Sequence, residues 1–106
     1  MRIELLYIGD CPHHAAARAA LAEAIRIEQV VADVAEFEIK DASSACAIGF
    51  LGSPSIRIDG NDIETGASGT AGMYCRTYTE SGLPKGVPSL ETIRQALRNA
   101  QEVGCE

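Results

Sequence analysis

The run at residues 3–8, Ile-Glu-Leu-Leu-Tyr-Ile, turns apolar on both faces toward its end, which predicts a central strand covered by helices on each side. An Ala-rich stretch follows. Over residues 12–27, Ala17, Leu21, Ala24 and Ile25 fall on one stripe that continues to position 28, with Glu23 and Arg26 opposite. That spacing predicts a helix with one face on a sheet. Residues 35–40 alternate strictly, with Ala35, Phe37 and Ile39 on one face and charges on the other, the pattern of a half-exposed strand near a sheet edge. Two strands joined through one helix form a βαβ unit, parallel and right-handed in nearly all cases.

The second half is more polar. Asp41 is placed to cap a short helix that runs to about Ile48 and that Gly49 ends. Ser55-Ile56-Arg57-Ile58 predicts a strand, and Asp59-Gly60 a turn after it. The stretch 60–72, with glycines at 60, 66, 69 and 72, reads as a long, mobile hairpin connection, and residues 73–78 as the returning strand, antiparallel to 55–58. Ser89 caps a last helix whose buried stripe is Leu90, Ile93, Leu97 and Ala100 and which ends near Gly104. The predicted order is β-α-β-α-β-β-α, an α/β fold with a mixed four-stranded sheet and helices on both faces. Tyr7, Phe37 and Phe50 are expected in the core, and Arg57 and Arg76 as surface charges.

Composition narrows the class. A chain of 106 residues that is 46% hydrophobic and 23% charged predicts one globular domain, 1–106, that needs no disulfide to fold. The formal charge of −6 argues against nucleic acid or an anionic membrane as partner. The first residues enter an apolar segment too short for a signal peptide, and no stretch approaches the ~18 apolar residues of a membrane span, so the expected location is cytoplasmic. In that compartment the four cysteines, Cys11, Cys46, Cys75 and Cys105, are expected as thiols. Cys46 reads as packing and Cys105 as a spectator at a frayed end.

The candidate chemistry lies in Cys11-Pro12-His13-His14, at the junction of the first strand and helix. A sulfur beside the unpartnered N–H groups of a helix start is stabilised as thiolate, and Pro12 fits the first helical turn. His13 and His14 either stabilise the thiolate, relay a proton, or face solvent. Cys75, inside the predicted returning strand, is either core or a resolving thiol; bridging needs Cα atoms within ~7 Å, and each residue of register moves it ~3.3 Å. The competing chemistry is soft-metal binding. Cys11 and His14 could share an ion, and Cys11 with Cys75 could supply the two ligands that Hg(II) or Cu(I) needs. No closed zinc site is expected.

The element order, Cys11-Pro12 at the first strand-to-helix junction and Ser53-Pro54 before the third strand together resemble the thioredoxin superfamily over nearly the whole chain. More narrowly, Leu5-Leu6-Tyr7, Cys11-Pro12, the segment 50–57 and Cys75-Arg76-Thr77-Tyr78 are similar to a small bacterial thioredoxin-like group, some of whose members are labelled alkylmercury lyase. The resemblance implies that Pro54 follows a cis peptide bond beside the active cysteine, with Ser53 its partner. It also implies redox chemistry at Cys11. Because His14 stands where redox members carry a second cysteine, such chemistry is monothiol exchange or redox sensing, with glutathione or a protein thiol as co-substrate and no bound cofactor. A thiol-based metal binder and a partner-binding domain without turnover are the alternatives.

Overall fold

The computed structural model describes residues 1–64, 69, 71–80 and 82–104. Three helices and a four-stranded mixed sheet account for most of them. Strand β1 (Arg2–Tyr7) lies between β2 (Asp33–Glu38), to which it is parallel, and β3 (Ser55–Ile58), to which it is antiparallel. The apolar run thus takes the centre and the alternating one an edge. Paired residues share a face, so Ile3, Leu5, Ile56 and Ile58 point to one side of the sheet, and Leu6 with Ile39 to the other.

Helices α1 (His14–Glu28) and α3 (Leu90–Gly104) cover the first side. Ala17, Leu21 and Ala24 pack there with Ile93 and Leu97 in the larger core cluster. Burial of each of the large side chains contributes roughly 1.5–3 kcal/mol. At the end of the predicted stripe, Glu28 accepts from Arg94 at 2.7 Å and from Arg98 at 3.1 Å, clamping α1 to α3. Ser89 caps α3 as expected, its Oγ accepting the Thr92 N–H at 3.1 Å. Leu90, expected in the stripe, is exposed.

Helix α2 (Ala42–Ile48) covers the second side, where Leu6, Ile39, Ala45 and Phe50 form a smaller cluster. Asp41 caps it, accepting the Ser44 N–H at 2.7 Å. Arg57 closes its other end by donating to the Ile48 carbonyl at 2.7 Å and the Gly49 carbonyl at 3.2 Å. It therefore satisfies helix-end carbonyls rather than standing as a surface charge. Phe37 points to this side, as its alternation predicts, yet stays exposed because α2 is one short helix against an edge strand. Cys46, expected as packing, is an exposed residue of α2.

The fourth strand differs from expectation. Asp59 and Gly60 take φ of +51° and +87°, the conformation of a tight two-residue hairpin, and the chain returns at once as β4 (Asn61–Asp62). Residues 73–78 therefore do not pair with β3. Cys75 makes a single parallel bridge to Ser53, and Tyr78 opens a separate ribbon of β5 (Tyr78–Glu80) and β6 (Leu83–Lys85). Of the long hairpin connection expected over 60–72, residues 61 and 62 instead form β4, while residues 65–68 and 70 lie outside the described residues, as does Cys105. Among the described residues no helix is long and apolar enough to cross a membrane.

Candidate functional site

The turn after β1 presents Cys11. Its N–H donates to the Ile8 carbonyl at 3.0 Å, and the His14 N–H reaches the Cys11 carbonyl at 3.5 Å. These two turns use backbone groups that an earlier helix start would need, so α1 begins at His14 with His13 as its N-cap. Cys11 and Pro12 stand just ahead of the helix, not in its first turn, and Cys11 is half-buried.

Neither histidine simply faces solvent. The His14 ring stacks on Tyr7 with centroids 3.6 Å apart and planes 11° from parallel, so Tyr7 is half-buried against it rather than a core residue. His14 Nε2 donates to Glu36 Oε1 at 2.7 Å, and Arg18 Nε donates to both oxygens of that carboxylate at 3.0 and 3.1 Å. Positions 14 and 18 are neighbours on one helix face, which lets both reach the same acid on β2. His13 lies against Gly86, where a Cβ would come within 2.3 Å of its Nε2.

The hydrogen bond from Arg18, and secondarily that from His14, hold the Glu36 carboxyl below its ordinary pKa. A carboxyl whose pKa is depressed on folding stabilises the fold above its unfolded value, near 4.3, and loses that contribution as pH falls through the folded value. Acidification from pH 5.5 to 3.5 is therefore expected to lower the urea midpoint of the parent chain more than that of Glu36→Gln. Equal drops would show that the contact adds nothing at pH 5.5.

The segment Ser53-Pro54 meets this turn. The bond between the two residues is cis, as the resemblance implies. Ser53 is fully buried, and its Oγ accepts the Ile8 N–H at 3.1 Å. Its own N–H donates to the Tyr74 carbonyl at 2.8 Å, and its carbonyl accepts from the Arg76 N–H at 2.9 Å. The Pro54 carbonyl accepts from the Tyr78 hydroxyl at 2.6 Å.

Arg76, expected at the surface, is 6% exposed. It holds Asp62 in a bidentate pair at 2.6 and 2.8 Å, Glu64 at 2.8 Å and Ser55 Oγ at 3.0 Å, with its guanidinium 4.6 Å from the centre of the Tyr78 ring. Burial works against its charge, but the hydrogen bonds to Asp62 and Glu64 hold its pKa above the ordinary arginine value. Burial likewise pushes the Tyr78 hydroxyl up.

The structure thus brings Cys11, Pro12, His13, His14, Ser53 and Pro54 to one end of the sheet. Cys75 lies on the other side of Ser53 from Ile8, about two strand spacings or roughly 10 Å from the end of β1. It is exposed, where core was one expectation. Among the described residues no three His, Cys, Asp or Glu side chains gather closely enough to hold a metal ion. Sequence reasoning missed Glu36 and Arg18 around His14, and Arg76 with Tyr78 beneath Pro54. The His14/Arg18 spacing and the Asp62-x-Glu64 and Arg76-x-Tyr78 alternations were the available signals. Comparison with known protein families, with curated proteins and with solved structures returns no match. Fold and site define a mixed α/β protein with a half-buried cysteine at its first strand-to-helix turn.

Proposed function

We propose that this chain is a thioredoxin-like domain that carries out monothiol exchange through Cys11. The observation that carries the reading is the link between two distant segments. Ile8 donates its N–H to Ser53 Oγ and accepts the Cys11 N–H on its carbonyl, so residue 53 and the thiol-bearing turn are held as one unit. The mixed sheet with helices on both faces supports the same reading. In the exchange, the Cys11 thiolate bonds one sulfur of a disulfide, the S–S bond breaks, and the electron pair leaves with the second sulfur, which takes a proton from water. A second thiol, low-molecular-weight or on a protein, then regenerates Cys11 by the same chemistry. His14 occupies the place of an internal resolving thiol, and its ring is already committed to Tyr7 and Glu36.

Cys11→Ser is expected to abolish thiol-dependent reduction of a model disulfide, whereas Cys46→Ser and Cys75→Ser retain it. Retained turnover in Cys11→Ser would overturn the reading. Tight binding of one Hg(II) lost in both Cys11→Ser and Cys75→Ser, without turnover in the parent, would replace it by metal binding.

A further inference from the structure

Gly52, Ser53, Pro54 and Ser55 are all buried, so their backbone polar groups depend on the protein rather than on water for partners. Three successive carbonyls find those partners through residues 76 and 78. The Gly52 carbonyl accepts from Ser55 Oγ, which Arg76 Nη1 meets at 3.0 Å. The Ser53 carbonyl accepts the Arg76 N–H at 2.9 Å, and the Pro54 carbonyl accepts the Tyr78 hydroxyl at 2.6 Å. Residues 52–54 precede β3 and have only the lone bridge at Ser53 in place of a strand ladder, so side chains of the neighbouring segment complete the work of fixing them.

The alternation at 75–79 turns both of those side chains inward: Arg76 and Tyr78 are buried, while Cys75, Thr77 and Thr79 are exposed. Arg76 is also held by Asp62 and Glu64, with its guanidinium over the Tyr78 ring. The Tyr78 hydroxyl, by contrast, makes a single hydrogen bond among the described residues, the one to Pro54. From there a continuous path leads to the thiol-bearing turn. Ser53, bonded to Pro54, accepts the Ile8 N–H on its Oγ at 3.1 Å, and the Ile8 carbonyl accepts the Cys11 N–H at 3.0 Å. Pro54 and Tyr78 are themselves buried, so they act on that turn through backbone placement and not through contact with a substrate.

We propose that Tyr78 is a positioning residue for exchange at Cys11: its hydroxyl on the Pro54 carbonyl fixes where Ser53 Oγ stands, and Ser53 Oγ fixes the turn at 8–11. This rests on the exchange reading and adds to it a residue far from the thiol in sequence. An ordinary hydrogen bond is worth about fivefold in an equilibrium, which sets the size of the effect.

The test takes the full chain carrying Cys46→Ser and Cys75→Ser as parent and adds Tyr78→Phe. Phenylalanine keeps the buried ring against Arg76 and removes only the bond to Pro54. Mixed-disulfide formation at Cys11 with bis(2-hydroxyethyl) disulfide, followed by peptide mass analysis, is expected to slow about fivefold. The Ile8 and Cys11 amide NMR resonances are expected to move, since both donors lie on the path. Val30→Ala opens a cavity in the core past the other end of α1, and is expected to lower stability while leaving the rate and those resonances unchanged. In a Ser53→Ala background, where the path is already cut, Tyr78→Phe is expected to slow the reaction by less than about twofold more. A full loss in that background, equal rates in Tyr78→Phe and the parent, resonances that stay in place, or an equal slowing in Val30→Ala overturns the role of Tyr78 alone. No reaction at Cys11 in the parent overturns the exchange reading and this proposal together.

Discussion

Arg76→Leu is expected to lower the unfolding free energy by about 3 kcal/mol, the low end of the range for removing one partner of a buried ion pair. The guanidinium is 6% exposed and the Asp62 side chain 16%, so leucine leaves a carboxylate that water reaches poorly. Glu64, at 39% exposed, recovers hydration more easily, which keeps the loss from the upper end of the range. The Ser55 hydroxyl and the face of Tyr78 also lose their partner. Arg76→Lys keeps a charge but not the planar fork that meets both oxygens of Asp62, and it is expected to recover less than half of the loss. Urea unfolding with an unchanged m-value gives the comparison. A loss below about 1 kcal/mol for leucine would mean that the carboxylates rehydrate freely and that the cluster is a surface feature.

What could be read in advance divides along the range of the interactions. The central strand, the Asp41 and Ser89 caps and the Gly49 stop depend on residues that act on their own neighbours, and each stands where the pattern puts it, while the edge strand, expected over 35–40, runs two residues earlier at Asp33–Glu38. Residues 73–78 read as the returning strand, but pairing is decided elsewhere: the tight turn at Asp59-Gly60 gives β3 a two-residue partner at Asn61–Asp62 too short and polar to show a hydrophobic period. That one substitution of partner explains several departures at once. Cys75 falls on a lone bridge to Ser53 and becomes exposed. Arg76 turns inward because Asp62 and Glu64 now lie beside it. Phe37 shows a different limit, since periodicity names the face of a strand but not how far the covering helix extends.

At the site the same division holds. Cys11 could be placed from its position at the first strand-to-helix junction, and Ser53 with Pro54 from what the resemblance implies. Glu36 could not, because a charge on the polar face of an edge strand has the same pattern whether it meets solvent or a histidine from the preceding helix. A cleft lined by Asp10, Glu38, Lys40 and Met73 is likewise a product of three separate segments meeting, which no single stretch of sequence records.

Gly52→Ala is expected to cost about 2–3 kcal/mol and to slow exchange at Cys11, because the backbone at this position is one that side chains avoid. Gly52 has φ of +104°, and a Cβ would lie 2.7 Å from Tyr74 Cε2 and 3.0 Å from Arg76 Cβ. Two contributions can be separated. Gly52→Ala/Tyr74→Ala removes the ring contact while leaving the backbone conformation and the Arg76 contact, so it isolates the cost that does not depend on the tyrosine. The backbone share is expected to dominate, and the double variant to remain well below the Tyr74→Ala control in stability. The functional effect comes from connectivity: the Gly52 carbonyl accepts from Ser55 Oγ at 2.5 Å, and the next residue holds Ile8 through its hydroxyl. A shift at residue 52 is thereby passed to the turn that carries the thiol. Ser53→Ala tests that step alone, since it removes only the acceptor for the Ile8 N–H, about 1–2 kcal/mol for a part-buried donor left unpaired. If Cys11 is held in register by residue 53, both variants slow mixed-disulfide formation at Cys11 in proportion to the stability they lose. Unchanged rates in variants shown to be folded would mean that the turn at 8–11 sets the thiol without help from the 52–54 segment.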